Sequence, residues 1–198
     1  SFMFTGIIET LAEVVATQKD GGNLVITMRS PLASELKIDQ SIAHNGVCLT
    51  VTNIQDDTFQ TVAIAETLQK TNLGQLIPTH YVNIERAMVF NGRIDGHLVQ
   101  GHVDGVGECL SVTEQDGSWV YRFRFPEEFA ALVVEKGSIC LNGISLTIFD
   151  VTKQEFSVAI IPYTYEHTNM PQVVPGSLVN LEFDILGKYV ARQLAVRS

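Results

Sequence analysis

Asn45-Gly46-Val47-Cys48-Leu49-Thr50-Val51 and Asn142-Gly143-Ile144-Ser145-Leu146-Thr147-Ile148 are two versions of one heptad. Asn, Gly, Leu and Thr coincide, and Val47 and Val51 become Ile144 and Ile148. The one swap with chemical content puts Ser145 where Cys48 stood. The second heptad starts 97 positions after the first, nearly half of a 198-residue chain. A repeat at that distance is no solenoid period and implies two whole domains on one plan.

The register holds along the chain. At the same shift Ser41 faces Ser138, Phe59 faces Phe156, and Thr71-Asn72 faces Thr168-Asn169. VNIERA (Val82 to Ala87) faces VNLEFD (Val179 to Asp184). Nearer the start the shift is 95, bringing Gly6 to Gly101, Gly22 to Gly117 and Pro31 to Pro126. The second copy therefore carries two extra residues between Pro126 and Gly143. Each half is of ordinary domain size and can bury its own core.

Within a half, FTGIIETLAEVVATQ (from Phe4) and NLVITM (from Asn23) read as strands around the Asp20-Gly21-Gly22 turn. In the second copy Trp119, Tyr121, Phe123 and Phe125 alternate with Val120, Arg122 and Arg124, the period of a half-buried strand, with Trp119 read as core packing. The segments after Pro31 and Pro126 predict short helices. Asn-Gly between apolar runs predicts a tight hairpin. Strands follow at Cys48 to Ile54 and Phe59 to Ala65. A short helical passage then leads to the closing strand, Tyr81 to Arg86. The expected fold is all-β: two homologous six-stranded Greek-key β-barrels in tandem with a short C-terminal α-helix. Residues 3–97 form the N-terminal barrel, 98–186 the C-terminal barrel, and 187–198 a helix that packs against copies of itself. Ser1-Phe2 ahead of Met3 reads as an expression remnant.

Charge and composition narrow the function. With 22 acids, 13 bases and a net charge of −9, the chain has no basic run to neutralise phosphates, which argues against nucleic acid. No apolar run reaches membrane-span length. Three cysteines, Cys48, Cys109 and Cys140, lack disulfide or zinc spacing and point to a cytoplasmic, reducing location. DGHLVQGHVDGVG lacks the strand-to-helix context of a phosphate loop, and no metal site is expected at His97 and His102. Taken singly, those histidines read as surface or structural residues and Cys48 as a buried apolar one. The repeat changes this: a thiol and a hydroxyl at one position of two copied pockets suit two similar ligands treated unequally.

MFTGI, AHNGVCLTVT, TNLG, VNIERA, DGHLVQGHVD and NGISLTI together resemble the riboflavin synthase family, across essentially the whole chain from Met3. The resemblance implies a cytoplasmic homotrimer of lumazine-binding barrels. Its members convert two molecules of 6,7-dimethyl-8-ribityllumazine into riboflavin and 5-amino-6-(ribitylamino)uracil, with no cofactor. Ser41, Cys48, His97 and His102, with Ser145 and Thr147 in the second half, match the family's catalytic positions. His102 is the implied proton shuttle, and Cys48, Ser145 or a bound water the nucleophile. In the N-barrel the resemblance implies a lumazine lying on Gly6, Ile7 and Ile8, on Leu49 and Thr50 beside Cys48, and on Val62, Ala63, Ile64, Ala65, Glu66 and Thr67. In the C-barrel the matching residues are Gly101, Val103, Lys136 and Leu146, then Ile160, Ile161, Pro162, Tyr163, Thr164 and Tyr165. Asn142 departs from the Asp of many relatives, and Asn45 at the matching place favours a turn role that keeps activity. The rival reading is a non-catalytic, antenna-type lumazine- or flavin-binding protein of the same fold, but both halves keep their motifs here. A flavin-dependent reductase lacks a nicotinamide-binding segment.

Overall fold

A computed structural model describes residues 3–198; Ser1 and Phe2, read above as a remnant, lie outside the described residues. Six strands form each of two closed antiparallel barrels. The first contains β1 (Thr10–Asp20), β2 (Asn23–Arg29), β3 (Ser41–His44), β4 (Val47–Gln55), β5 (Thr58–Ala63) and β6 (Tyr81–Arg86). Around the barrel their order is β1-β2-β5-β4-β3-β6. β7 (Gly105–Gln115), β8 (Ser118–Arg124), β9 (Ser138–Leu141), β10 (Ile144–Phe149), β11 (Glu155–Ile160) and β12 (Leu178–Phe183) repeat that order in the second. Closure leaves neither sheet an open edge. A bulge shifts the register between Val14 and Ala16 in β1 and between Cys109 and Ser111 in β7, the same place in each copy, where it helps bend a long strand around the barrel.

Each barrel has its own apolar core. Ile26, Met28, Phe59 and Ile84 fill the first, and Phe123, Phe156, Leu181 and Phe183 the second. Trp119 lies at the margin of the second, stacked on Tyr165 with ring centroids 3.7 Å apart. The alternation in β8 is thus a packing pattern. Short helices α1 (Ala65–Lys70) and α2 (Pro162–His167) follow β5 and β11, and α3 (Ile185–Ala195) ends the chain.

Three local expectations are corrected. The segments after Pro31 and Pro126 are 3-10 turns, Pro31–Glu35 and Glu127–Leu132, because so short a run closes i→i+3 bonds such as Leu36 N–H to Ala33 O. The two residues added in the second copy are absorbed here. The strand predicted to end at Ala65 stops at Ala63, where α1 begins to turn. β1 starts at Thr10 rather than Phe4, since Gly6 takes φ +79 and residues 4–9 leave the first sheet.

The two Asn-Gly turns meet where the barrels join. Asn45 and Asn142 both have φ +47, and Gly46 and Gly143 have φ +82 and +81, as a type I′ hairpin requires. A Cβ on Gly46 would lie 2.8 Å from the Gly143 backbone nitrogen, and the reverse contact is also 2.8 Å. Six asparagines surround this contact in matched pairs. Asn83 donates to the Asn142 carbonyl and Asn180 to the Asn45 carbonyl, each at 2.9 Å. Asn169 donates to Asn45 Oδ1 and Asn72 to Asn142 Oδ1. This part of the interface is polar and buried, yet its amides satisfy one another, and beside it Phe4, Ala43, Val99 and Cys140 form a small apolar cluster drawn from both halves.

Candidate active site

The segments leading into β1 and β7 form two straps that cross between the barrels. Strap one, residues 4–9, bridges to the second through Phe4 N–H to Val99 O and Val99 N–H to Phe4 O. Gly6 O then accepts the Ser145 N–H of β10 at 2.8 Å, and Ile8 packs against the second core. Strap two does the reverse: Gly101 O accepts the Cys48 N–H of β4 at 2.9 Å, and Val103 packs against the first core. Both glycines have φ +79 and pass so close that a Cβ would strike the facing Cβ, at 2.6 Å for Gly6 on Ser145 and 2.7 Å for Gly101 on Cys48.

This corrects the expected grouping of residues. Gly6, Ile7 and Ile8 belong with Ser145 in the second barrel, while Gly101, His102 and Val103 belong with Cys48 in the first. The repeat aligned them with their own halves because sequence similarity records ancestry, whereas the straps lie on the neighbouring barrel.

At the first site Cys48 is half-buried and opens on a cleft of about 210 Å³ bounded by Val47, Glu66, Thr67, Lys70, His102 and Val103. Ser41 is buried on β3, opposite Thr50 and two residues along the strand from Ala43, which pairs with Cys48. Burial raises the Cys48 pKa, so the group is a neutral thiol at pH 7. His102 is exposed on the strap at the cleft rim.

At the second site Ser145 Oγ lies 2.7 Å from His97 Nδ1. The His97 backbone N–H donates to Thr5 O, fastening the histidine to strap one. Burial lowers the His97 pKa, against the upward pull of the Asp184 carboxylate, so the imidazole is neutral at pH 7. Thr147 is exposed opposite Ser138, and Lys136, at φ +64, gives its N–H to Ile148 O where β10 ends. The structure thus parts the six candidates into Ser41, Cys48 and His102 at one barrel, and His97, Ser145 and Thr147 at the other.

Of the expected binding residues, Leu49, Ala63 and Ile160 turn their side chains into the cores and have at most backbone to offer. Ile64, Ala65, Ile161, Pro162 and Tyr163 are exposed where β5 and β11 give way to α1 and α2, and Val62, Leu146, Thr164 and Tyr165 are half-buried. Sequence reasoning missed two carboxylates: Glu85, which accepts the N–H groups of Thr5 and Gly6, and Glu182, which accepts those of Gln100 and His102. The signal was present, for VNIE and VNLE align them. A larger cavity of about 450 Å³, lined by Thr5, Ile7, Glu9, Glu85, Arg86 and Arg93 among others, contains neither Cys48 nor Ser145.

The lumazine binding domain matches residues 5–87 and again 100–184, one copy per barrel. The chain is 42% identical over 193 residues to the riboflavin synthase of Actinobacillus pleuropneumoniae, covering 97% of this chain and 90% of that one. It is 38% identical over 193 residues to the riboflavin synthase of Bacillus subtilis (strain 168), with the same coverage. That of Mycobacterium bovis is 42% identical over 195 residues, 96% of this chain and 97% of that one. Among solved structures, LumP complexed with riboflavin superposes with a TM-score of 0.86 at 20% identity, covering 91% of this chain and 99% of that one, a likeness of fold. With one lumazine binding domain in each barrel and synthases of three bacteria matching it nearly end to end, this chain belongs to the riboflavin synthase family.

Proposed function

We propose that the protein is a riboflavin synthase: it takes two molecules of 6,7-dimethyl-8-ribityllumazine and moves a four-carbon unit from one to the other. The products are riboflavin and 5-amino-6-(ribitylamino)uracil. The observation that carries the reading is a pair of copied sites holding unequal groups, Cys48 at one and a Ser145–His97 pair at the other. Donor and acceptor are the same compound, so two copies of one pocket can hold both, and proximity supplies much of the acceleration.

The inequality divides the work. Neutral His97 accepts a proton through Nδ1 from the Ser145 hydroxyl or from a water held there, giving an oxygen nucleophile able to add to C7 of one lumazine. The neutral Cys48 thiol and the Ser41 hydroxyl offer polar groups at the other barrel, where His102 at the cleft rim can carry the proton removed from the acidic C7 methyl group. These roles rest on geometry together with the family's chemistry. A reading as a binding protein alone is less supported, because both sites keep their reactive groups.

The working form is proposed to be a homotrimer in the cytoplasm, where three free cysteines fit a reducing medium. Supporting the oligomer, α3 leaves Leu186, Tyr189, Val190 and Leu194 exposed, an apolar face for neighbouring copies.

Purified protein given 6,7-dimethyl-8-ribityllumazine alone is expected to form riboflavin and the uracil in equal amounts, consuming two lumazines per riboflavin. Ser145→Ala is expected to lower kcat about 100-fold while riboflavin still binds. Tight lumazine binding without product from the wild-type protein would leave the antenna-type reading.

A further inference from the structure

We infer that Glu182 on β12, in the second barrel, is a positioning residue for the first barrel's Cys48 site, and that Glu85 on β6 does the reciprocal work for Ser145. Both carboxylates are buried, at 3% and 5% exposure, and neither lies within ion-pair distance of a base among the described residues. An unpaired buried carboxylate is costly unless hydrogen bonds hold it. Here those bonds come from strap backbone.

Glu182 Oε2 accepts the Gln100 N–H at 2.8 Å and Oε1 the His102 N–H at 2.7 Å. The two oxygens grip the strap on either side of Gly101. With both flanking N–H groups turned to the carboxylate, the left-handed Gly101 presents its carbonyl to the Cys48 N–H, while His102 stands at the cleft rim. Charge-assisted bonds to a carboxylate are roughly twice as strong as neutral ones, so this grip governs where the strap lies.

The reciprocal side differs in one instructive way. Glu85 accepts from Thr5 N–H at 2.8 Å, Thr5 Oγ1 at 2.7 Å and Gly6 N–H at 2.9 Å, and the Ile7 N–H goes to Thr5 Oγ1. Gln100 stands where Thr5 would be, without a hydroxyl to relay that bond. Glu182 therefore takes the His102 N–H directly, with no side-chain relay from its strap.

The test uses the full chain and its own thiols. Cys48 is half-buried, while Cys109 and Cys140 are buried, so iodoacetamide labelling followed by peptide mass analysis reads the strap over Cys48 separately from global opening. Without ligand, Glu182→Gln is expected to speed Cys48 labelling at least fivefold with Cys109 and Cys140 unchanged. Glu85→Gln is expected to leave Cys48 within twofold of wild type. Glu182→Asp keeps the charge but withdraws it by one methylene, and is expected to move Cys48 the same way by two- to fivefold. In turnover, Glu182→Gln is expected to raise KM at least fivefold while kcat falls less than threefold. Unchanged Cys48 labelling in both Glu182 variants, or all three cysteines accelerating together in both, overturns the inference. The choice of turnover assay rests on the synthase reading. The ligand-free labelling does not, so failure of that reading, seen as wild-type Cys48 unprotected by riboflavin, leaves the positioning test standing.

Discussion

His44 shows how one buried side chain sets an acid limit on the fold. It is fully buried, its Nδ1 lies 3.1 Å from Ile42 O and its Nε2 3.0 Å from the Thr61 hydroxyl. Burial pushes its pKa down to about 4, from 6.5 in an unfolded chain. Between those values the unfolded state binds a proton that the folded state refuses. Stability is thus whole above pH 6.5, falls as the pH drops toward 4, and levels below it. The loss amounts to about 3 kcal/mol at roughly 1.4 kcal/mol per pKa unit. Denaturant midpoints across this range are expected to fall in the wild type and to fall less in His44→Gln; parallel slopes would put the acid sensitivity elsewhere. Nothing in the sequence around His44 marked it, because its burial is a property of the closed barrel. The same blindness let Leu49, Ala63 and Ile160 stand as binding residues: the stretch was legible, but which way each side chain faced needed the barrel.

Turns were the most legible elements, since Asn-Gly between apolar runs admits few backbones. Their partners were not. Asn142 Oδ1 accepts the Asn180 N–H of its own barrel at 2.8 Å and Asn72 Nδ2 of the first barrel at 3.2 Å, so its side chain is already spent on the fold. Asn142→Asp keeps an oxygen for both donors and is expected to change kcat less than threefold; a tenfold gain would mean that the amide limits the chemistry. Asn142→Ala leaves both donors without that acceptor at a left-handed position, and its denaturant midpoint is expected to show a loss of about 1–3 kcal/mol. The straps are the element that sequence could not assign. Residues 4–9 carry enough apolar side chains to pass for the start of β1, and only Gly6 hinted that the chain turns away.

At the scale of the whole molecule, repetition told of two barrels and of two sites, but not that each barrel borrows part of its site from the other. The C-terminal helix was legible as a short apolar segment. Lys188 pairs with Asp104 at 2.8 Å and Gly187 packs on Leu132, which fixes one side of α3 to the second barrel. Replacing Leu186 and Val190 on the open side by Glu is expected to reduce the mass seen in sedimentation velocity to that of one chain; an unchanged mass would move the subunit contact elsewhere. The crossed straps also bear on descent. Arms that swap between two like barrels are what a pair of identical one-barrel chains would exchange around a twofold axis. Two such chains must carry the same residue at the reactive position, for a single gene spells both. Once the copies are joined in one reading frame, each can mutate without the other. The thiol of one half and the hydroxyl of the other then become a heritable difference, and a symmetric ancestor can give rise to an enzyme whose two identical substrates meet different fates.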